Sequence, residues 1–108
     1  MNLAEHIRDI PDFPKEGIIF KDITTLVGNA EAFRASLDQL QERFADTGAT
    51  AVVALEARGY IFGAPLADRM GLRFVPVRNP GKLPADTIQQ DYDLEYGSNT
   101  LEIHKDAL

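Results

Sequence analysis

The feature that most constrains the fold is the run Ala51-Val52-Val53-Ala54-Leu55, uninterrupted by any polar residue and carrying two adjacent β-branched side chains. Too short for a core helix, it reads as a strand of the parallel-sheet type, covered on both faces. Ahead of it, Phe33, Leu37, Leu40 and Phe44 recur at spacings of four, three and four, one stripe of a helix from Ala30 to Ala45. Asn29 is its expected N-cap and Gly48 its stop. Behind the strand, Glu56-Ala57-Arg58-Gly59 turns into a second helix, Tyr60 to Met70, which Gly71 ends. Pro65 must lie in that helix's first turns or kink it. Phe74-Val75-Pro76-Val77 is then a second strand, with Pro76 at an edge or strand end. Helix, strand, helix, strand is the crossover pattern of an α/β sheet.

The flanks are less regular. Leu3 to Ile10 has the makings of a short helix, which Pro11-Asp12-Phe13-Pro14 ends. Gly17-Ile18-Ile19-Phe20 is apolar but too brief for periodicity to type. Asp22-Ile23-Thr24-Thr25 favours a turn. Arg78 to Gln90, with Pro80-Gly81 and Pro84, reads as a long loop. Beyond it Tyr92, Leu94 and Tyr96 alternate with acids, Gly97-Ser98-Asn99 turns, and Leu101 and Ile103 alternate again, which is a hairpin pattern. Two strands, one crossover and a hairpin leave the sheet unfinished, because an internal parallel strand needs neighbours on both sides.

Charge narrows the function classes. The chain of 108 residues carries 17 acidic and 11 basic side chains, a net charge of −6, the wrong sign for broad contact with nucleic acid. A small anion is still admissible where a few cations and backbone amides converge. With no cysteine there is no disulfide framework and no thiolate site. The first residues lack a signal-peptide pattern, and no charge-free stretch is longer than Gly59 to Ala67, which is too short to span a bilayer. No membrane partner and a cytoplasmic location are the expectation. His6 and His104 lie far apart without a ligand pattern around them, so no metal site held by protein side chains is expected.

Three segments could carry chemistry. Glu56-Ala57-Arg58-Gly59 joins a buried strand to a helix start, where free amides and the positive end of the helix dipole suit an anion. Arg58 adds a fork of donors, Gly59 allows close backbone approach, and ligands of open α/β sheets bind at this end of the strands. Taken alone, the turn reads equally as an ordinary tight turn with a solvated arginine. Arg78 and Lys82 emerge after the next strand and could reach the same ligand, or could be solubilising charge on a loop. Glu95, beside Tyr96 on the hairpin, could be a lid carboxylate or simply the polar face of an alternating strand.

Several of these segments together resemble the adenine phosphoribosyltransferases. Pro11-Asp12-Phe13-Pro14-Lys15-Glu16-Gly17-Ile18-Ile19-Phe20-Lys21-Asp22-Ile23-Thr24 is similar to that family's amino-terminal signature. Glu56 to Gly63 resembles its diphosphate-binding loop, and Arg78 to Pro84 with Tyr92 to Gly97 its flexible catalytic loop. Leu101 to Ala107 resembles the strand leading out of that loop. The resemblance implies an α/β fold of the type I phosphoribosyltransferase kind. Its parts would be a parallel sheet with flanking helices, an amino-terminal hood (1–29), a core (30–77) and a flexible loop with hairpin (78–104), all within one partial domain (1–108).

The resemblance also implies an activity: transfer of a phosphoribosyl group from 5-phosphoribosyl 1-diphosphate to adenine, giving AMP and diphosphate, with Mg²⁺ accompanying the diphosphate substrate. It implies that Ile19 and Lys21 read the adenine edge through their backbone, while Phe20 packs on the ring. Arg58, Gly59, Arg78 and Lys82 would hold the diphosphate. Glu95 and Tyr96 would close over the reacting centre. A homodimeric parent enzyme is implied as well. Asn79 stands where the family often has a basic residue. The family's cradle for the 5′-phosphate is a strand ending in two adjacent acids and a Thr- and Gly-rich turn, expected shortly after Leu108, and no adjacent acidic pair occurs here. The 108 residues alone are therefore expected to be inactive. The alternatives are a non-catalytic module that binds adenine or a nucleotide, a piece without independent function, or a relative preferring another purine.

Overall fold

The computed structural model describes residues 1–94 and 97–108. They form two compact units, Met1–Arg43 and Phe44–Leu108.

In the first unit a 3₁₀ turn, Leu3–His6, leads into a strand, β1 (Arg8–Pro11), where the sequence suggested continued helix. β1 pairs antiparallel with β2 (Ile19–Asp22), Ile10 facing Phe20 and Pro11 facing Ile19. Pro11, expected to end a helix, is instead the last residue of this strand, because an end position in a two-stranded ladder tolerates a missing N–H. Asp12 lies at φ +56°, and its carboxylate accepts from the Gly17 amide at 3.0 Å, a loop closure that suits a residue tolerant of left-handed backbone. The expected turn at Asp22–Thr25 is a short helix, α1 (Thr24–Val27), whose start is held by Asp22 Oδ1 accepting from the Thr24 amide at 2.9 Å.

α2 (Ala30–Phe44) matches its predicted helix closely, and Asn29 Oδ1 caps it by accepting from the Ala32 amide at 3.0 Å. Its buried side chains are Ala32, Ser36 and Leu37, while Phe44 is exposed, so the covered stripe is centred nearer the helix start than the apolar spacing suggested.

In the second unit β3 (Ala51–Leu55) and β4 (Arg73–Val77) form a two-stranded parallel sheet, Ala51 facing Arg73 and Leu55 facing Val77. The helix between them, α3 (Arg58–Met70), packs against both and ends on Gly71 in left-handed backbone. Pro65, expected in the first turns or at a kink, lies inside the helix. A Cβ added to Gly63 would stand 2.8 Å from Ala54 Cβ and 3.1 Å from Phe74 Cε1, so a hydrogen at that position is what lets α3 lie so close to the sheet. Val52, Ala54 and Phe74 face the helix. Val53 and Leu55, on the opposite face of β3, are about half exposed, which corrects the expectation of a strand covered on both sides.

The expected long loop is shorter than the sequence implied. β5 (Thr87–Leu94) takes its last residues and pairs antiparallel with β6 (Gly97–His104), Thr87 facing His104 and Leu94 facing Gly97. Gly97, Ser98 and Asn99, read as the turn, belong to β6. A further bridge between Arg78 and Glu102 joins β6 to the end of β4.

Candidate functional site

Because β3 and β4 are parallel and in register, the residues that follow Leu55 and Val77 emerge side by side. Glu56 N donates to Val77 O at 3.0 Å, extending the ladder one step past the strand end. The Tyr60 hydroxyl donates to the same carbonyl at 2.9 Å, and its ring meets Phe74 edge to face at 5.4 Å. Burial pushes the Tyr60 phenol up from its ordinary value. The Glu56–Ala57 peptide is cis, and α3 begins at Arg58 with no side-chain cap from Ala57. The 13-residue helix thus starts at the carboxyl end of β3, where its dipole favours an anion, with the Tyr60 amide donating to Ala57 O at 3.2 Å.

Just before that helix, a carboxylate of the chain itself gathers the cations that follow β4. Glu56 Oε1 accepts from the Asn79 amide at 2.7 Å and from Arg78 Nε at 3.2 Å, and Oε2 accepts from Lys82 Nζ at 3.0 Å. The Glu56 side chain is only 9% exposed, against 36% for Arg78 and 48% for Lys82. The Asn79 amide, the Lys82 ammonium and the Arg78 guanidinium together hold the Glu56 carboxyl at about 2, well below the usual 4.5. The carboxylate is therefore charged throughout the range in which proteins are ordinarily handled.

The loop after β4 is tied down from the other side as well. Arg78 and Glu102 exchange backbone hydrogen bonds at 2.9 and 2.8 Å, Glu102 Oε1 accepts from the Gly81 amide at 3.0 Å, and His104 Nε2 accepts from the Ala85 amide at 3.2 Å. Arg78 and Lys82, which spacing alone left open as mobile surface charge, are gathered at one carboxylate. Arg58 and Gly59 stand at the start of α3, two and three residues beyond Glu56. At Gly59 an added Cβ would make only an ordinary contact, 3.5 Å from Ala54 Cβ, so packing within the chain leaves that glycine unexplained.

Sequence reasoning missed Glu56 as an organiser of the cations and Glu102 as an anchor of the loop. A signal for the first existed. Two consecutive parallel strands, one followed by an acid and the other by a base, put the two charges together once the strands pair in register.

The residues expected at the adenine edge lie in the first unit, on β2. An open hollow of about 230 Å³ is lined by Ile10, Phe13, Phe20 and Asp22, with Phe13 and Phe20 edge to face at 5.1 Å. Ile19 is 61% exposed, and Pro11, which faces it across the ladder, has no N–H to give it. The Lys21 ammonium is paired with Asp9 at 2.6 Å, so its side chain is engaged on β1. Glu95 and Tyr96, expected to close over the reacting centre, lie outside the described residues. Among the described residues no three His, Asp or Glu side chains converge as a metal shell, and no helix is long and apolar enough to cross a membrane.

No protein-family model matches the chain. Curated and solved proteins do. An adenine phosphoribosyltransferase of Solidesulfovibrio magneticus is 65% identical over all 108 residues, which make up 63% of that protein. The crystal structure of an adenine phosphoribosyltransferase from Thermoanaerobacter pseudethanolicus superposes with a TM-score of 0.90 at 54% identity, covering 97% of this chain and 61% of that one. The corresponding enzyme of Giardia lamblia, solved in complex with 9-deazaadenine, superposes at 0.93 with 37% identity, covering 100% of this chain and 62% of that one. The chain thus spans somewhat less than two thirds of the length of the relatives it matches. In sequence and in its mixed α/β fold with a parallel sheet, it is a relative of the adenine phosphoribosyltransferases over its entire length.

Proposed function

We propose that these residues supply the adenine-reading strand and the diphosphate loop of an adenine phosphoribosyltransferase of purine salvage. The observation that carries this reading is the Glu56 cluster. Two cations and a backbone amide meet at the carboxyl ends of adjacent parallel strands, beside a helix start, in the segment that resembles the family's diphosphate loop.

In the proposed reaction a ring nitrogen of adenine bonds to the anomeric carbon as that carbon's bond to the diphosphate oxygen breaks, and the ring nitrogen loses its proton. The residues of this chain act mainly on the leaving group. Arg78 and Lys82, with Arg58 and the α3 amides around Gly59, offset the charge that builds on diphosphate as it departs. Gly59, unexplained by packing, leaves room for a phosphate oxygen near the helix amides. On β2, Ile19 and Lys21 present backbone groups to the base edge, and Phe20 with Phe13 forms an apolar wall for the ring.

Mg²⁺ would arrive on the substrate's own phosphate oxygens, which fits a chain whose described residues offer cations rather than a carboxylate shell, and it would neutralise the leaving group further. Glu95 and Tyr96 are assigned to the lid on resemblance alone. The division into hood (1–29), core (30–77) and loop with hairpin (78–104), a homodimeric parent and a cytoplasmic setting belong to the same reading.

No adjacent acidic pair with a Thr- and Gly-rich turn is present in these residues to hold the 5′-phosphate. The 108-residue chain is accordingly proposed to bind diphosphate and adenine without ordinary turnover. Calorimetric titration of this chain with magnesium diphosphate tests the reading, alongside an AMP-formation assay. Saturable binding that Arg78→Ala weakens by about tenfold or more is expected, since a charge-assisted contact is worth roughly 1.5–3 kcal/mol. A titration with no binding overturns the site assignment, and AMP formed at an ordinary enzymatic rate overturns the claim of inactivity.

A further inference from the structure

We propose that Glu56 is an intramolecular competitor for diphosphate: its carboxylate keeps Arg78, Asn79 and Lys82 gathered when no anion is bound, and retakes Lys82 as diphosphate leaves. The inference rests on the diphosphate reading above and adds a residue to which that reading assigns no role.

Three observations carry it. The first is order of access. Glu56 is nearly covered while Arg78 and Lys82 are substantially exposed, so an anion arriving from solvent meets the two cations first and the carboxylate lies beneath them. Two positive charges and one negative leave a net +1 at the cluster, attractive to an anion yet weaker than the cations alone would be.

The second is asymmetry between the two carboxylate oxygens. Oε1 is fixed by a backbone amide at 2.7 Å together with Arg78, and both donors belong to the segment leaving β4. Oε2 is held by Lys82, a point charge on a flexible four-carbon stem, more than four-tenths exposed. Lys82 is the contact that can exchange without moving backbone.

The third is independent anchoring. The Gly81 amide is held by Glu102 and the Ala85 amide by His104, so the loop keeps its place when Lys82 turns outward. Diphosphate, with several negative charges, takes Lys82 from a single carboxylate. The Glu56 charge left behind then opposes the bound product and hastens its departure. Glu56 touches none of the reacting atoms and is a positioning residue.

The experiment compares magnesium diphosphate binding to the unmutated chain and to Glu56→Gln, at equilibrium and by stopped-flow dissociation. The amide keeps the side chain's shape and removes its charge. Tighter binding by about tenfold, mostly through slower dissociation, is expected. The gap should shrink as salt is raised toward 1 M. A residue that merely braced the loop would give the opposite sign, so unchanged or weaker binding to a folded Glu56→Gln chain overturns the inference.

A readout on the unmutated chain keeps the test decisive if the variant does not fold. Adding diphosphate should shift the Lys82 ammonium resonance while the Asn79 amide stays protected from hydrogen exchange. An unmoved Lys82, or an Asn79 amide that loses protection, overturns it. An unmutated chain that ignores diphosphate overturns the proposed function itself, whereas binding that Glu56→Gln fails to tighten overturns only the present inference.

Discussion

The two units use the same ingredients, carboxylates and basic side chains, in different ways. On the β1–β2 ladder, Lys21 pairs with Asp9 while both are more than 60% exposed, and Arg8 pairs with Asp22 across the neighbouring position. The Lys21–Asp9 pair is one acid to one base in water, whereas Asp22, 13% exposed, also accepts from the Thr24 amide and hydroxyl two residues on. In the second unit a single carboxylate, 9% exposed, collects a guanidinium, an ammonium and a backbone amide contributed by residues 22 to 26 positions away. The difference teaches where charge can be specific. A pair facing water is screened and gains little, whereas a covered carboxylate with several donors defines one arrangement of the chain around it.

That contrast depends on the platform under Glu56, and the largest expected effect comes from disturbing it. α3 approaches β3 and β4 at Gly63, where there is no room for a methyl group. Gly63→Ala should destabilise the second unit by about 1–3 kcal/mol through overpacking, with Gly63→Val worse. Gly59→Ala, which meets only an ordinary contact, should change stability by less than about 0.5 kcal/mol while weakening diphosphate binding. Denaturant titration of both variants checks this. Equal stability losses at the two glycines would show that helix–sheet contact is not what distinguishes them.

A smaller effect sharpens the electrostatic side. The Glu56 carboxyl lies at about 2 in the folded chain against an ordinary 4.5. A depressed acid contributes stability that is fully present above the unfolded value and is lost as pH falls through the folded one. Its contribution should therefore be complete above about 4.5 and decline between there and about 2. Asp22 is also held low, chiefly by the Thr24 amide, then by the Thr24 hydroxyl and Arg8, so acid titration of the whole chain sums both sites. Comparing the pH dependence of unfolding for the unmutated chain and Glu56→Gln isolates the first. The variant should show a shallower slope in that window, and identical slopes would mean that Glu56 is not specially held.

What was legible in the sequence follows the same line. β3 was read residue for residue, and α2 to within one residue at its end, because each carries a periodic or continuous apolar pattern that burial enforces. β1 was mistaken for helix because Arg8-Asp9-Ile10-Pro11 has no alternation to show; its partner strand, not its own composition, makes it a strand. The start of β5 failed likewise. Thr87, Ile88, Gln89 and Gln90 sit on a largely exposed ladder, and Ile88 is itself 57% exposed, so no buried face wrote a pattern into them. Covering β3 on both sides was inferred from composition, yet in these residues α3 meets one face and leaves Val53 and Leu55 half exposed. At the candidate site the cations were found from their positions after strands. The carboxylate that joins them was not, because its partners lie beyond a helix and another strand and become neighbours only through the β3–β4 register.

The smallest expected effect is the one that tests the comparison from its weak side. Lys21→Ala removes the partner of Asp9 on the first unit's ladder. Both side chains are in water before and after, so no charge is left buried, and the screened attraction is largely offset by the freedom the long side chain regains. Stability should change by no more than about 0.5 kcal/mol, and the change should vanish at high salt. The same replacement also bears on the adenine reading. There Lys21 is assigned to the base through its backbone, so its side chain should be dispensable for adenine binding as measured by calorimetry. A loss of adenine affinity beyond a few-fold without loss of stability would mean that the ammonium takes part in the site after all. The Asp9 pair would then be a resting position for Lys21, and the two units would share the same device of an acid holding a functional base.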